Sequence, residues 1–526
     1  MTTAIEPVDA AGADGGRMSR REILQALSGL MVGMFVAILA STVVANALPR
    51  IIADLNGSQT VYTWIVTSEL LAMTATVPLW GKMADLYSKK LLIQLSLGLF
   101  VLGSLVAGLT PNVEVLLVSR VIQGIGAGGM TALAMIVMAA MIPPRELGRY
   151  AGIFGAVFGV GTIAGPLIGG VLVDTSWLGW RWCFLIGVPF SFLSIFLLQR
   201  TLHLPIIRRK ARIDWAGAAL ITAGVSTLLI WSSLAGHKFA WASGWTALMV
   251  VGGLALLVVA VWVESRAAEP IIPLEIFRSR TVTLTTVASM LVGVALFGGT
   301  VFLSQYFQTS LGKSPTIAGL MSLPMILGLL VSSTIAGQLI TKYGRWKAYL
   351  VAGAAVMVAA MLLLSTIDID TPLPLLFSYM ALLGIGVGML MQNLVLAAQN
   401  DVPAHELGAA TSVLTFFRSM GGAIGVSALG AVLANRVTGL MTAQLGPAAG
   451  ATDGGTTEVP DLSTLPEPVL RIVQNAYATA TSELFLIGAP IAFLALLAVL
   501  FIREKPLHTL SGDERARQEA NLPIAH

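Results

Sequence analysis

Two ionisable side chains lie inside long apolar stretches of the chain, where they could exchange a proton or recognise a charged ligand. Glu69 lies in the apolar run 62–81, and Arg120 lies in the run 115–141. Glu69 is eight residues beyond Val61, about 12 Å at the helical rise of 1.5 Å per residue, and Arg120 lies at nearly the same depth of its own run. An ionisable group is costly to keep in an apolar layer and usually marks a functional site.

The composition indicates an all-α polytopic membrane protein. Of the 526 residues, 56% are hydrophobic and 11% are charged, whereas soluble domains carry roughly a quarter charged residues. The net charge of +4 is spread over short loops, which argues against nucleic-acid binding. Cys183 is the only cysteine, so a disulfide and a cysteine metal site are excluded. We expect no catalytic residues, no metal and no cofactor.

Fourteen apolar runs are long enough to cross a bilayer as helices. They cover residues 26–48, 62–81, 92–109, 115–141, 149–172, 182–200, 214–235, 244–263, 282–310, 316–340, 348–367, 373–399, 408–435 and 481–502. With both termini in the cytoplasm, 23 of the 31 Lys and Arg residues fall in cytoplasmic segments and 6 in outer segments. This asymmetry is typical of a multi-pass protein of the cell membrane. The two remaining residues, Arg120 and Arg418, lie within spans.

An internal repeat organises these spans. The segment Gly124–Met130 of span 4 reappears at Gly384–Met389 of span 12, and the turn that starts at Gly81 after span 2 reappears at Gly337 after span 10. Each match joins span n to span n + 8, which predicts six spans, a two-span insert and six related spans. The predicted divisions are an N-terminal tail (1–25), a first bundle (26–200), the insert (201–281), a second bundle (282–502) with an outer loop (436–480), and a C-terminal tail (503–526).

These features resemble the major facilitator superfamily, in particular its fourteen-span drug:proton antiporter branch. Span 4 matches the family pattern Arg-x-x-Gln-Gly-x-Gly from Arg120 to Gly126. The gating motif after span 2 is matched at Gly81, Asp85, Lys89 and Lys90, although Ser88 stands where a glycine is usual and Lys89 where arginine is commoner. The antiporter motif of span 5 is matched at Gly161, Gly165, Pro166, Gly169 and Gly170.

Each motif also has a physical interpretation. Asp85 can accept hydrogen bonds from the start of a helix, which predicts a gating latch; the alternative is that the turn only sets the topology through its lysines. The glycines of span 5 predict a thin seam between helices, and Pro166 loosens the helix by removing a donor. The alternative for span 5 is close packing without a role in antiport.

Two features of the sequence indicate how transport is powered. Gly312-Lys313-Ser314 is similar to the end of a phosphate loop, but Phe307 occupies the position of the required glycine, so no ATP motor is predicted. The family commonly places a proton-carrying aspartate in span 1, where this chain has Ala40. We therefore expect Glu69 to titrate and Arg120 to modulate it, because burial favours a neutral carboxyl whereas a nearby arginine favours a carboxylate. The alternative is that Glu69 recognises cations without coupling.

The substrate path is expected between the two bundles near the midplane of the membrane. Polar and adaptable side chains are candidates for its lining, with ordinary packing as the alternative. They are Asn46, Gln123, Phe302, Gln305, Tyr306, Gln308, Met389, Gln392 and Asn393. The outer loop, which has a helical pattern around 469–480, is either a lid or an inert excursion, and Arg418 either forms a structural contact or takes part in transport.

The resemblance implies a proton-coupled transporter that exports lipophilic or cationic drugs by alternating access. Its expected partners are a small-molecule substrate, protons and membrane lipid, and it is expected to be monomeric. Two alternatives remain: a dedicated exporter of an endogenous lipid or metabolite, and a membrane receptor or scaffold that transports nothing.

Overall fold

The protein is built from α-helices in the computed structural model, which describes residues 20–55, 59–175, 178–202, 214–235, 239, 243–267, 270–445 and 466–521. In chain order the helices are α1 (Arg20–Asp54), α2 (Gln59–Leu86), α3 (Lys89–Gly108), α4 (Val113–Met141), α5 (Pro144–Asp174), α6 (Trp182–Leu185), α7 (Gly187–Thr201), α8 (Trp215–Leu234), α9 (Gly244–Glu264), α10 (Arg280–Thr309), α11 (Pro315–Met321), α12 (Leu323–Tyr343), α13 (Lys347–Leu364), α14 (Leu373–Asp401), α15 (Leu407–Leu445), α16 (Glu467–Leu500) and α17 (Gly512–Asn521). Short 3₁₀ turns cover Leu274–Arg278 and Ala404–Glu406.

Twelve helical stretches within the described ranges are long and apolar enough to cross a membrane. They correspond to the predicted spans other than the second and the fifth. The helices at those two positions, α2 and α5, have 28 and 31 residues but are not among the twelve.

The helix ends define two faces of the bundle. On one face, the end of α2 at Asp85 contacts the start of α15 at Gly408; we call this the Asp85 face. On the other, the indole Nε1 of Trp180 donates a hydrogen bond of 2.7 Å to Asp54 Oδ2 at the end of α1; we call this the Trp180 face. The depth of a buried group is its position between these two faces.

Equivalent helices pair in the two parts of the chain. Helix α4 packs on α2 and α3, and α5 packs on α1; in the same way α14 packs on α12 and α13, and α15 packs on α10. The glycines of the sequence repeat make the closest contacts, because a side chain at Gly124 would collide with the Glu69 carbonyl and one at Gly384 would collide with the Met325 carbonyl. Contacts of α5 with α12 and of α2 with α15 join the two parts, while α8 and α9 pair with each other.

The helices differ from the predicted spans in several places. The span predicted at 316–340 is divided into α11 and α12, and Pro324 in the first turn of α12 lacks the backbone donor needed to continue the preceding helix. Much of the predicted outer loop is helical, because α15 continues to Leu445 and α16 begins at Glu467. Arg436 Nη2 donates a 2.7 Å hydrogen bond to Glu483 Oε1 and ties these extensions together.

Candidate functional site

A buried ion pair between α2 and α4 is the chemical centre of the N-terminal bundle. Glu69 is 4% exposed and Arg120 is 1% exposed, and Arg120 Nη2 donates a hydrogen bond to Glu69 Oε2. The other guanidinium nitrogens also have partners. Nε donates to the Ile65 carbonyl at 3.0 Å, and Nη1 donates to Gln123 Oε1 at 2.8 Å. Arg120 is therefore held in one orientation toward Glu69.

Three further helices contact this pair. Ser41 of α1 donates from Oγ to Glu69 Oε1 at 3.2 Å, next to the position of Ala40. Gln123 Nε2 donates to Ser104 Oγ of α3 at 2.7 Å. The Phe184 ring of α6 lies 5.7 Å from the Arg120 guanidinium carbon, within the range of a cation–π contact. A change in the charge of Glu69 thus acts on α1, α2 and α4 directly and on α3 and α6 through Arg120 and its neighbour.

The helix packing explains why the two side chains meet. Gly124 brings the α4 backbone against the α2 backbone at Glu69 itself. Trp80 Nε1 donates to the Ile125 carbonyl at 2.9 Å and fixes the same two helices nearer the Asp85 face. With the backbones this close, the side chain of Arg120, one turn before Gly124 on α4, reaches the side chain of Glu69 directly.

On the Asp85 face, the predicted gating motif contacts the C-terminal bundle. Asp85 Oδ1 accepts a hydrogen bond from the Gly408 backbone N–H at 2.8 Å, and Oδ2 accepts one from Ala409 at 2.9 Å. Gly81 permits this approach, because a side chain there would collide with Ser412 and the Gly408 carbonyl. Burial raises the pKa of Asp85 to about 7, although both hydrogen bonds and the charges of Lys89 and Lys82 act in the opposite direction.

The two lysines of this motif have separate partners. Lys89 Nζ lies 3.9 Å from Asp513 Oδ1 of α17, and Lys90 Nζ donates to the Gln199 carbonyl at the end of α7 at 2.7 Å. Ser88, which replaces the usual glycine, accepts a 3.4 Å hydrogen bond from the Leu91 N–H and caps α3. The motif therefore connects α2 to α15, α3 to α7 and α3 to α17.

The predicted antiporter motif lies against α1. A side chain at Gly161 would collide with Ile38, and one at Gly165 would collide with Thr42. Thr42 Oγ1 donates to the Gly161 carbonyl at 3.2 Å. Gly169 is buried, whereas Pro166 and Gly170 lie outside the residues whose surroundings are described. The described glycines form a seam that brings α5 close to the helix that carries Ser41.

Comparison with known proteins identifies the family. The family model described as Major Facilitator Superfamily matches residues 30–426. The chain belongs to the major facilitator superfamily. It is therefore a membrane transporter and not an enzyme.

Two relatives belong to the same superfamily, and one solved structure shares the fold. An uncharacterized MFS-type transporter of Mycobacterium tuberculosis is 38% identical over 500 residues, which cover 94% of this chain and 71% of the relative. The multidrug transporter protein MdtP of Bacillus subtilis is 35% identical over 436 residues, covering 82% and 79%. The proton:xylose symporter XylE superposes with a TM-score of 0.61 at 14% identity, covering 95% of this chain and 100% of XylE. XylE shows the shared fold alone.

The predicted substrate-lining residues of this facilitator have different surroundings among the described residues. Gln123 belongs to the ion-pair network. Phe302 packs in an apolar cluster with α15 and α16, and Tyr306 is buried with its hydroxyl donating to the Asp368 carbonyl at 2.7 Å. Gln308 Nε2 donates to the Ser304 carbonyl within α10 at 3.3 Å. Gln305 is partly exposed.

The remaining lining candidates lie on α14. Gln392 and Asn393 line a cavity of about 20 Å³ with Met135 and Met138 of α4, at the junction of the two bundles. Asn393 Nδ2 donates to the Met389 carbonyl at 2.7 Å. The surroundings of Asn46 are outside the described part of the structure. The interface between α4 and α14 is thus where the described candidates from one bundle face side chains of the other.

Arg418 of α15 is a second buried arginine of this facilitator. It is 9% exposed, and its Nη1 donates a long hydrogen bond of 3.4 Å to the Met391 carbonyl. Among the described residues, no acidic side chain forms an ion pair with it. Arg418 is therefore held by a backbone carbonyl without the carboxylate partner that Arg120 has.

The C-terminal segment folds onto the Asp85 face, where the sequence predicted only a tail. Ser511 and Glu514 form a reciprocal capping box at the start of α17, with hydrogen bonds of 2.7 and 3.3 Å. Arg515 donates to the Gln399 carbonyl at 3.3 Å and to the Val402 carbonyl. Because Asp513 also faces Lys89, α17 contacts both bundles. The Ser-x-x-Glu pattern is the sequence signal that could have revealed this helix.

Proposed function

We propose that this facilitator exchanges protons for lipophilic or cationic compounds and exports those compounds by alternating access. The observation that carries the proposal is the buried Glu69–Arg120 pair with Ser41 as a third partner. Glu69 is a carboxyl in the predicted membrane layer with a cation that stabilises its ionised form and a hydroxyl that can adjust to either form. The similarity to a multidrug transporter of Bacillus subtilis supports the substrate class.

Proton binding to Glu69 would remove the attraction that holds Arg120. Since α1, α2 and α4 meet at this carboxyl, neutralising it changes the contacts of three helices at once. The seam between α1 and α5 allows α1 to shift, and the Asp85 contact joins the moving bundle to the other one. In this proposal protonation favours one arrangement of the bundles and deprotonation favours the other.

The finer architecture belongs to the same proposal. It comprises fourteen spans in a 6 + 2 + 6 arrangement, the predicted domain limits, a monomer surrounded by lipid, and the Asp85 face with both termini in the cytoplasm. The lysine and arginine distribution of the sequence supports this orientation. The pairing of α8 with α9 supports the central insert, and α8 also contacts one helix of each bundle, α2 and α15.

The test is an exchange assay in proteoliposomes with wild type and Glu69→Gln. A fluorescent lipophilic cation serves as substrate, and both its accumulation against a gradient and its downhill movement are measured. The proposal expects Glu69→Gln to lose proton-driven accumulation but to keep downhill movement. Loss of both would indicate that Glu69 recognises substrate without coupling, and full retention of accumulation would exclude it as the proton carrier.

A matched control is Glu483→Gln. Glu483 also pairs with an arginine, but that pair is largely exposed, with side-chain exposures of 55% for Arg436 and 32% for Glu483. Its removal should leave accumulation unchanged because an exposed ion pair contributes little. Failure of the wild type to move either substrate or protons would favour the receptor or scaffold alternative.

A further inference from the structure

The two central helices carry a pair of carboxyl groups with no assigned role. Asp214 caps the start of α8, and Glu264 is the last residue of α9, so both lie at the Asp85 face. Asp214 Oδ1 accepts a hydrogen bond from the Gly217 N–H at 2.9 Å, and Glu264 Oε2 accepts one from the Ile272 N–H at 3.0 Å. Each carboxyl thus has one satisfied oxygen.

The other oxygen of each carboxyl is buried without a donor. Asp214 Oδ2 and Glu264 Oε1 have no hydrogen-bond partner in the described structure, and Glu264 is only 4% exposed. Both oxygens lie within 2.5 Å of the point that a side-chain carbon on Gly217 would occupy. They therefore converge over Gly217, which leaves room for them because it has no side chain.

Two ionised carboxylates in this position would repel each other, because each has a buried oxygen without a hydrogen-bond donor. Buried polar atoms are normally hydrogen-bonded, and neighbouring carboxyls commonly resolve their repulsion by keeping one proton between them. A proton satisfies both oxygens, since the protonated carboxyl donates and the other accepts.

Charged groups from the neighbouring elements surround this pair. A cavity of about 590 Å³ beside Glu264 is lined by Lys82 and Asp85 of α2, by Glu275 and Arg278 of the 3₁₀ turn, and by His405 and Glu406 before α15. Glu275 and Arg278 pair with each other at 3.7 Å. The cavity gives a released proton a route to water.

We propose that Asp214 Oδ2 and Glu264 Oε1 share one proton and form a proton-binding site that fastens the start of α8 to the end of α9. When the proton leaves, it passes to water in the adjacent cavity, and two negative charges remain side by side. Their repulsion separates these two helix ends at the Asp85 face. This site is distinct from Glu69, and its occupancy requires neither substrate nor a proton gradient.

Infrared titration of the purified full chain in lipid nanodiscs tests the site directly. An Asp85→Asn background removes the titration of that neighbouring carboxyl. The proposal expects one pH-sensitive carboxyl band, besides any band of Glu69, that disappears on raising the pH, and expects either Glu264→Gln or Asp214→Asn to remove this same band. Persistence of the band in either variant would overturn the sharing of the proton. Glu275→Gln, on the same cavity but exposed, should retain it.

A distance measurement provides the second readout. Spin labels at Ala216→Cys and Ser265→Cys, in a Cys183→Ser background, report the separation of the two helix ends. We expect the separation to increase with pH in the otherwise wild-type chain and to stay constant in Glu264→Gln, whose amide N–H can donate to Asp214 permanently. A pH-independent separation in both chains would overturn the fastening role. Because neither readout uses transport, failure here and failure of the proposed exchange can be told apart.

Discussion

The two bundles share one packing scheme but differ in charge at equivalent depth. Gly124 rests on the carbonyl of Glu69, and Gly384 rests on the carbonyl of Met325. The repeat that aligns Gly124 with Gly384 also aligns Arg120 with Met380, which is fully buried. Where the first bundle holds a carboxylate and a guanidinium, the second therefore holds two methionines.

This difference separates packing from function. Close contact of α4 with α2, and of α14 with α12, needs the glycines and not the ions, because the methionine bundle packs in the same way. A buried ion pair is often no more stabilising than apolar residues of similar volume, since both charges lose their hydration. The charges at Glu69 and Arg120 are thus better explained by transport than by stability.

The Asp85 face shows a similar asymmetry. Asp85 of α2 reaches across to α15, whereas the aligned residue of the second turn, Thr341, donates to the Gly337 carbonyl within its own helix. The second turn is instead held by the C-terminal segment, where Glu504 Oε1 accepts hydrogen bonds from Trp346 N–H at 2.7 Å and Lys347 N–H at 3.1 Å. One turn joins the bundles, and the other anchors the end of the chain.

The largest effect is expected from giving the first bundle the methionines of the second. The double variant Glu69→Met/Arg120→Met should fold but lose proton-driven accumulation by at least about 100-fold, because no group remains there to carry a proton. Accumulation in proteoliposomes measures the loss. The free energy of unfolding of Glu69→Met alone should be about 3 kcal/mol or more below that of the double variant, because the single change leaves a buried arginine unpaired. Thermal unfolding measures this difference.

The opposite ranking would show that the pair is retained for stability. Met325→Glu/Met380→Arg provides the reciprocal control in the second bundle. If this variant folds, it should not gain a second proton step, since the second bundle has no equivalent of the Ser41 contact among its described hydrogen bonds.

The next effect concerns Asp85 and its dependence on pH. Burial raises the pKa of Asp85 from an ordinary 3.8 to about 7 in the joined state, in which α2 contacts α15, although its hydrogen bonds from Gly408 and Ala409 act in the opposite direction. The joined state therefore binds more protons between these values than a separated state in which Asp85 is hydrated. The joined state should therefore become less populated as pH rises through this window, and the dependence should end above it. Spin-label distances between Tyr87→Cys and His405→Cys measure the population.

Asp85→Asn is the matched variant for this titration. It should flatten the pH dependence and, because the neutral amide resembles the protonated carboxyl, hold the joined population at the level that the wild type reaches at low pH. An unchanged pH profile in Asp85→Asn would assign the titration to another group. Glu275→Gln on the same face serves as the control.

A smaller effect is expected from α17. Arg515→Ala removes the hydrogen bonds to the Gln399 and Val402 carbonyls but leaves the capping box of the helix intact. The ratio of joined to separated molecules should then fall roughly fivefold, the effect of about one hydrogen bond. The spin-label distance between Tyr87→Cys and His405→Cys measures this ratio. Arg517→Ala, two residues further along the same helix, is the control. Equal effects of both changes would indicate a general loss of charge.

The sequence predicted the depth of the ion pair but not its surroundings. The constant rise of a helix is enough to place Glu69 and Arg120 at one level. Because Ala40 stands where the family commonly has a proton-carrying aspartate, Glu69 became the predicted proton carrier. The contacts of Ser41, Ile65 and Ser104 depend on how each helix is rotated about its axis. That rotation results from close contacts such as Gly124 against α2, which are visible only once the helices are packed.

Sequence-based expectations were least complete at the chain ends and loops. Hydropathy ends a span where the apolar run ends, so it placed α15 and α16 too short and treated the segment after 502 as a tail. Backbone hydrogen bonds continue a helix beyond the apolar layer when polar groups such as Arg436 and Glu483 can pair there. The candidate lining residues Phe302 and Tyr306 show the same limitation, since their residue types suit both a cavity and a packed core.

The smallest effect should come from the seam that the antiporter motif forms with α1. Gly165 rests on Thr42, and the equivalent Gly425 rests on Val294 of α10, so Thr42→Val gives the first seam the chemistry of the second. The change removes the hydrogen bond to the Gly161 carbonyl but keeps the volume, and should lower thermal stability by about 1 kcal/mol or less and accumulation by about twofold. A loss as large as that of the Glu69 variants would mean that the seam itself takes part in proton coupling. We expect Val294→Thr to be equally mild. The two seams would then be interchangeable, and the functional difference between the bundles would lie in their charges.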